Sequence, residues 1–168
     1  MRISIAPKQP AVERIRQSVM FMERGEKDRA LASLLADESI ERVIVFTRMK
    51  HAANRIVRKL DKRGISADAI HGNKSQSARE RSLRGFSQGT TRVLVATDIA
   101  ARGLDIKQVS HVINYDLPNV PENYVHRIGR TARAGADGEA VSFCSGDERA
   151  QLRGIEKLLK KPIPVARR

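Results

Sequence analysis

Short, fully apolar segments alternate with amphipathic segments along the chain. Val43–Phe46 and Val93–Ala96 contain apolar residues alone, which is typical of strands buried on both faces of a parallel sheet. Further apolar segments predict strands at residues 19–22, 67–70, 109–115 and 139–143, of which the first is expected to be a short edge strand.

Between these segments, apolar residues recur at three- and four-residue spacing and predict helices. The predicted helices cover residues 27–36, 52–60, 77–86, 121–128 and 145–159. Ser77 with Glu80 has the spacing of a capping box, as has Ser145 with Glu148. Pro121 suits the first turn of a helix. Strands alternating with helices predict an α/β fold, a doubly wound parallel β-sheet with helices on both faces.

Polar residues follow three of the predicted strands where each one ends. Thr47 and Arg48 come after the strand at 43–46, His71 and Gly72 after the strand at 67–70, and Thr97 after the strand at 93–96. Ligands of doubly wound sheets bind outside the carboxyl ends of the strands. We therefore expect a binding site at this edge of the sheet.

The charge of the chain narrows the ligand class. The 168 residues include 32 Lys and Arg, of which 22 are arginine, against 19 Asp and Glu, giving a net charge of +13. This balance indicates a nucleic acid or another polyanion, although a basic surface left by the loss of an acidic partner domain is an alternative. Aromatic residues make up only 4%, which favours contacts to the phosphate backbone over base stacking.

Cys144 is the single cysteine, which excludes an internal disulfide and, without partner ligands, a zinc site. No apolar segment reaches the length of a membrane span, so we expect no membrane contact. Together these features predict a reducing, cytoplasmic setting.

The densest candidate site is the segment from residue 126 to 133, which contains His126, Arg127, Arg130 and Arg133. Guanidinium groups match phosphate oxygens and keep their charge. The alternative is a solvated basic helix face. Spacing alone does not decide between the two.

Two further segments have phosphate-binding character. Residues 96–106 contain Thr97, a possible phosphate contact, Gly103, which permits close backbone approach, and Asp105, which could bind ribose hydroxyls. Arg79 lies in the first turn of a predicted helix, where anions are attracted. The alternatives are loop capping for the aspartate and a solvent-facing arginine.

The chain contains no Gly-x-x-x-x-Gly-Lys-Ser/Thr phosphate-binding loop and no acidic pair of the kind that holds magnesium after an apolar strand. The sequence therefore predicts half of a nucleotide site.

In order, these segments resemble the C-terminal RecA-like domain of a DEAD-box ATP-dependent RNA helicase of superfamily 2, within the P-loop NTPase class. The resemblance spans about residues 12–164 and is carried by Val43 to Thr47 (motif IV), Gln76 with Arg79 (motif IVa), residues 96–105 (motif V) and 126–133 (motif VI). The segment Ala-Ile-His-Gly-Asn-Lys-Ser-Gln resembles bacterial, RhlE-like members.

This resemblance implies three groups of residues, which would contact the nucleotide, contact RNA and couple the two domains. Arg130 and Arg133 would be arginine fingers on ATP, with Gly103 near the nucleotide and Asp105 on its ribose. ATP and Mg2+ would be held mainly by an amino-terminal RecA-like domain, without which we expect no ATP hydrolysis.

The second group would serve RNA, whose backbone would be bound without sequence preference. It comprises Gly72, Arg79 and Thr97, with Thr47 and Arg48 as further candidates. His126 and Arg127 would couple the two domains. We expect the side chains of motif VI to be solvated and mobile in this chain.

The resemblance also implies domain limits and leaves alternatives. Residues 1–11 would be an interdomain linker remnant, 12–161 the helicase domain and 162–168 the start of a further linker, in a monomeric chain. Ala132 stands where glycine is common in the family, and we expect little effect. The alternatives are half of a superfamily 2 DNA helicase and a non-enzymatic nucleic-acid-binding module.

Overall fold

The computed structural model describes residues 14–104, 106, 109–131 and 138–166. Within these ranges the strands are β1 (Ile15–Phe21), β2 (Val43–Phe46), β3 (Ala67–Ile70), β4 (Val93–Ala96), β5 (His111–Asn114) and β6 (Gly138–Cys144). The α-helices are α1 (Lys27–Leu35), α2 (Lys50–Lys62), α3 (Gln76–Gln88), α4 (Asp98–Ala101), α5 (Pro121–Ile128) and α6 (Arg149–Leu159).

The strands form one sheet in the order β1-β6-β5-β2-β4-β3, and all neighbouring pairs are parallel. Because the strands are parallel, their carboxyl ends meet at one edge. Thr47 follows β2 there, His71 follows β3 and Thr97 follows β4. The predicted doubly wound parallel sheet is confirmed. β1 is an edge strand as expected, but it has seven residues, Ile15–Phe21, instead of the short strand expected at 19–22.

Strand side chains alternate between two hydrophobic clusters. Ile44 and Phe46 of β2 pack with residues of α3, α4, α5 and α6, whereas Val43 and Val45 pack with α1 and α2. Successive side chains of a strand point to opposite faces, so each apolar strand contributes to both clusters. Both faces of the sheet are therefore covered, which explains why β2 and β4 are apolar throughout.

One of the two predicted helix caps is absent. The hydroxyl of Ser75, not Ser77, accepts a hydrogen bond from the amide of Ala78 and caps α3, so the predicted capping box at Ser77 is wrong. The one predicted at Ser145 and Glu148 is confirmed, and it precedes α6.

The carboxy-terminal segment is part of the domain. Ile163 is buried, and the amide of Val19 in β1 donates to the carbonyl of Pro164 at 2.8 Å. The carbonyl of Val19 accepts from the amide of Ala166 at 2.8 Å. These bonds cover the outer edge of β1, so the expectation of a linker is wrong for residues 163–166. Residues 1–11 and 167–168 lie outside the described residues.

Cys144 is buried at the end of β6, and burial raises the pKa of its thiol. No helix among the described residues is long and apolar enough to cross a membrane.

The hydroxyl groups of both tyrosines of the chain are expected to ionise at a higher pH than that of a free tyrosine. Burial and the neighbouring Asp28 carboxylate raise the pKa of Tyr115 to about 12, although Arg55 acts to lower it. Burial also raises the pKa of Tyr124. Absorbance at 295 nm should therefore stay flat through pH 10 in the folded protein. In denaturant both groups should ionise near pH 10. A folded-state transition at pH 10 would contradict the packing of Tyr115.

Candidate functional site

Two neighbouring cavities occupy the carboxyl edge of the sheet. The larger is an open groove of about 940 Å³, lined by Arg48, Met49, Lys50, His51, Gly72, Thr97, Asp98, Ile99, Arg102, Asn119, Val120 and Asn123. The smaller has about 290 Å³ and is lined by Phe46, Asp98, Ala101, Arg102, Gly103, Asn123, His126, Arg127 and Arg130. Asp98, Arg102 and Asn123 line both cavities and form a shared wall.

The site residues expected from sequence divide between these cavities. Arg48, Gly72 and Thr97 line the groove. Gly103, His126, Arg127 and Arg130 line the smaller cavity. Three residues that the resemblance implies for RNA thus line the groove, whereas the smaller cavity combines the nucleotide candidates Gly103 and Arg130 with the coupling candidates His126 and Arg127. Arg79 and Thr47 line neither cavity. Asp105 and Arg133 lie outside the described residues.

Gly72 lies at the carboxyl end of β3, in a turn held by His71. The Nδ1 of His71 accepts from the amide of Asn73 at 3.2 Å, which assigns the ring proton to Nε2, 2.9 Å from Oδ1 of Asn54. Burial, with the charges of Lys74 and Lys50, lowers the pKa of His71. A Cβ atom at Gly72 would meet no heavy atom within 4 Å, so this backbone is open to the groove.

Thr97 precedes α4, and its hydroxyl makes no capping bond to that helix, all of whose residues are described. Arg79 lies behind α4 instead of in the groove. Its Nη2 donates to the carbonyl of Ala100 at 3.4 Å, while its Nε is buried with no partner among the described residues. Arg79 is thus half-buried, and a freely solvated arginine is excluded.

Thr47 is placed differently from the sequence-based expectation. It is fully buried, and its hydroxyl donates to Oδ2 of Asp116 at 2.6 Å. Its side chain supports the loop between β2 and α2, and the expectation that it contacts nucleic acid is corrected. Arg48 beside it is partly exposed, and its Nη1 donates to the carbonyl of Leu117 and to Oδ1 of Asn119.

Arg127 is the centre of the site. Its side chain is only 1% exposed, and its Nε and Nη2 each donate to Asp98 at 2.7 Å in a bidentate pair. Nη1 donates to Oδ1 of Asn114 at 3.1 Å and to the carbonyl of Asp116 at 2.6 Å. The guanidinium carbon lies 5.1 Å from the ring centre of Phe46. The expectation of a solvated, mobile side chain is wrong for Arg127, because its donors are bound to groups of α4 and β5.

Arg130 follows α5 and is also held in place. Its Nη1 donates to the carbonyl of Leu104 at 2.7 Å and its Nη2 to that of Ala101 at 2.9 Å, with a longer bond from Nη1 to Ile106. Gly103 has a φ of +81°, which lets the loop turn so that these carbonyls face one guanidinium. The expectation of full solvation is therefore wrong for Arg130 as well. His126 is exposed, as expected.

Sequence reasoning missed three charged residues near the site: Lys27, Asp116 and Glu148. The Lys27 amine lies 3.0 Å from Asp116 and 2.8 Å from Glu148. Asp116 follows β5, so the same strand-end rule that singled out Thr97 could have found it. Glu148 was expected only as a helix cap. No local sequence pattern indicated that Lys27 would be buried, because its partners Asp116 and Glu148 are distant from it in the sequence.

Removing one partner of the central ion pair should be costly. The Asp98→Ala variant leaves the Arg127 guanidinium buried without its carboxylate, and we expect the free energy of unfolding to fall by about 3 kcal/mol in urea denaturation. Arg102→Ala is the control, because this exposed residue shares the same wall and should change stability by less than about 0.5 kcal/mol. Equal effects of the two variants would show that the pair is not a structural centre.

Comparisons with known proteins agree with this architecture. The family model described as the helicase conserved C-terminal domain matches residues 26–135. The chain is 44% identical over 153 residues to the ATP-dependent RNA helicase RhlB of Pseudomonas syringae pv. tomato, covering 91% of this chain and 38% of the relative. It is 43% identical over 161 residues to the DEAD-box ATP-dependent RNA helicase CshA of Bacillus subtilis, covering 96% and 33%. The chain thus spans about a third of the length of these curated relatives.

Solved structures give the same result. Escherichia coli DEAD-box protein SrmB, in a crystal structure with the regulator of ribonuclease activity A, superposes with a TM-score of 0.86 at 34% identity, over 92% of this chain and 91% of that chain. A DEAD-box protein of Methanococcus jannaschii gives 0.86 at 40% identity, over 92% and 42%. The C-terminal domain of the DEAD-box protein Dbp5 gives 0.85 at 34% identity, over 92% and 91%. The RhlE-like subgroup stays a prediction. Since the family model covers most of the chain and these structures superpose on nearly all of it, the chain belongs to the DEAD-box ATP-dependent RNA helicases, as a C-terminal RecA-like helicase domain.

Proposed function

We propose that this domain is the second half of an RNA-stimulated ATPase that separates short RNA duplexes locally. The groove would hold an RNA backbone, and the smaller cavity would close over ATP bound to an amino-terminal RecA-like domain of the same protein. One observation carries this proposal: the two cavities share a wall whose Asp98 is paired with buried Arg127. Because Asp98 of this ion pair lines both cavities, a ligand in one cavity that moves the pair would also change the other cavity.

RNA would be bound through its sugar-phosphate backbone. The groove is lined by the open backbone at Gly72, by Thr97, whose hydroxyl makes no capping bond to α4, and by the cations Arg48 and Lys50. Such contacts carry no base preference, and they make affinity fall steeply with salt. Arg79 would act from behind α4, where its buried Nε lacks a partner among the described residues.

The nucleotide would meet guanidinium donors in the smaller cavity. Its lining supplies Arg102 and Arg130 for an anion, and the chain has no phosphate-binding loop with a lysine, so the triphosphate and Mg2+ would be held by the amino-terminal domain. Arg130 would stabilise negative charge on the transferring phosphate after exchanging a loop carbonyl for a phosphate oxygen. Arg133 as a second finger and Asp105 as the ribose contact are carried over from the family motif.

Coupling between the halves would run through motif VI. Arg127 keeps Asp98 and the end of β5 in one orientation, while exposed His126 borders the smaller cavity and is available to the other domain. We also propose that the protein acts in the cytoplasm of a bacterium, which is supported by the bacterial RNA helicases among its relatives.

A methyl group placed in the groove should weaken RNA binding without unfolding the domain. We expect Gly72→Ala to lower affinity for single-stranded RNA about fivefold or more in a fluorescence anisotropy titration, with unfolding free energy changed by less than about 0.5 kcal/mol. Gly25→Ala is the matched control, since a Cβ there also meets nothing within 4 Å and the residue lies outside both cavities. Unchanged RNA affinity in the Gly72 variant would remove the groove from the binding site.

Loss of the proposed finger should stop turnover but spare RNA binding. With the amino-terminal half supplied, we expect Arg130→Ala to reduce RNA-stimulated ATP hydrolysis about 10³-fold or more while RNA affinity changes less than about twofold. Arg84→Ala, which removes an exposed arginine of α3 outside both cavities, is the control. Retained turnover in the Arg130 variant would refute the finger assignment.

The protein with its amino-terminal half supplied also tests the two alternatives to an RNA helicase. Unwinding of DNA duplexes in preference to RNA duplexes would favour a superfamily 2 DNA helicase. Absence of ATP hydrolysis after the amino-terminal half is added would favour a non-enzymatic binding module.

A further inference from the structure

A buried polar network lies behind the groove, at the ends of β2, β5 and β6. Lys27, the first residue of α1, is 2% exposed, and its amine donates to Oε1 of Glu148 at 2.8 Å and to Oδ1 of Asp116 at 3.0 Å. Glu148 is 1% exposed. Burying such charges is expensive unless every partner is well placed, so the network has a defined geometry.

Asp116 is the junction of this network. Its Oδ2 accepts from the hydroxyl of Thr47 at 2.6 Å and from the amide of Arg48 at 3.1 Å, and its backbone carbonyl accepts from Arg127 at 2.6 Å. Burial acts to raise the pKa of Asp116, but the Thr47 hydroxyl, the Lys27 charge and the Arg48 amide together hold that pKa below its ordinary value. Asp116 thus joins the groove loop, through its carboxylate, to Arg127 of motif VI, through its backbone carbonyl.

Glu148 also contacts Arg48, through the guanidinium group of that residue. Its Oε2 accepts from the amide of Leu117 at 3.0 Å and lies 3.7 Å from Nη2 of Arg48. The side chain of Arg48 is 26% exposed and lines the groove. The two carboxylates therefore hold Arg48 by its backbone and by its guanidinium, while Lys27 and Arg48 balance their charge.

We propose that Lys27, Asp116 and Glu148 are positioning residues that hold Arg48 in the orientation in which it binds an RNA phosphate, and that Asp116 joins this contact to Arg127. The inference rests on the proposed RNA groove and adds residues that do not touch the RNA. Stability alone is a weak reason for such a network, because apolar residues of similar volume stabilise buried sites as well or better.

A double-mutant cycle tests this role. The paired change Lys27→Met with Glu148→Gln removes the buried ion pair but leaves the net charge unchanged, so general attraction for RNA is preserved. We expect Arg48→Ala to weaken single-stranded RNA binding about tenfold, the equivalent of one charge-assisted hydrogen bond. The paired change should weaken it about threefold alone and leave it within about 1.5-fold in the Arg48→Ala background.

Salt dependence supplies a readout that a purely structural role would not move. The slope of log affinity against log salt should become shallower by about 0.7 in Arg48→Ala, the value for one lost phosphate contact on a single strand, and by about half of that in the paired variant. In the Arg48→Ala background the slope should not change further. The control cycle uses Lys50→Ala, a groove cation whose amine donates to Asn73, and its effect should be additive with the paired change.

The outcomes separate this inference from the proposed function. Additive effects at Arg48, or equal coupling at Lys50, would overturn it while leaving the groove intact. If Arg48→Ala leaves affinity unchanged, the inference is refuted, and Gly72→Ala still tests the groove independently. Should the paired variant fail to fold, Thr47→Val replaces it in the cycle, since it removes only the neutral donor to Asp116 and should show the same coupling.

Discussion

A guanidinium group with almost no access to water must find partners for its donors within the protein, and the requirement at Arg127 organises the carboxyl edge of this sheet. Asp98 supplies a bidentate carboxylate, Asn114 an amide oxygen and Asp116 a backbone carbonyl. These partners follow or end β4 and β5, so the orientation of one side chain of α5 fixes the relative position of two loops. The groove and the smaller cavity exist side by side because Asp98 borders both.

The neighbouring network at Lys27 extends the same principle to β2 and β6. Asp116 belongs to both networks, through its side chain in one and its backbone carbonyl in the other. The edge that would meet RNA and nucleotide is thus supported by buried charges that pair with one another, and the partly exposed Arg48 is held by two of these carboxylates. Preorganised donors of this kind lose little entropy when they bind a phosphate. Arg130 differs, because its guanidinium donates to three loop carbonyls and would give up at least one of these bonds to bind a phosphate.

The domain as it stands has the chemistry of half a site. Its cations can meet phosphate oxygens. Under the proposed function the domain would be inactive alone, because the donors that stabilise transferred charge and the groups that would hold the triphosphate would lie on separate domains. Domain closure would then control the reaction, and the shared wall of the two cavities would be the route by which RNA binding favours closure.

The sequence by itself determined the architecture and the location of the site. Fully apolar segments require burial on both faces, which leaves a parallel sheet covered by helices, and polar residues at strand ends must then lie along one edge. Which charged side chains are buried was decided only by the tertiary structure. Thr47, Lys27 and Arg127 lie inside, whereas Arg48 and His126 face outward, although all are polar residues near strand ends or on helices. The reason is that their partners come from segments up to 121 residues away in sequence, as for Lys27 and Glu148, so no local pattern specifies the pairing.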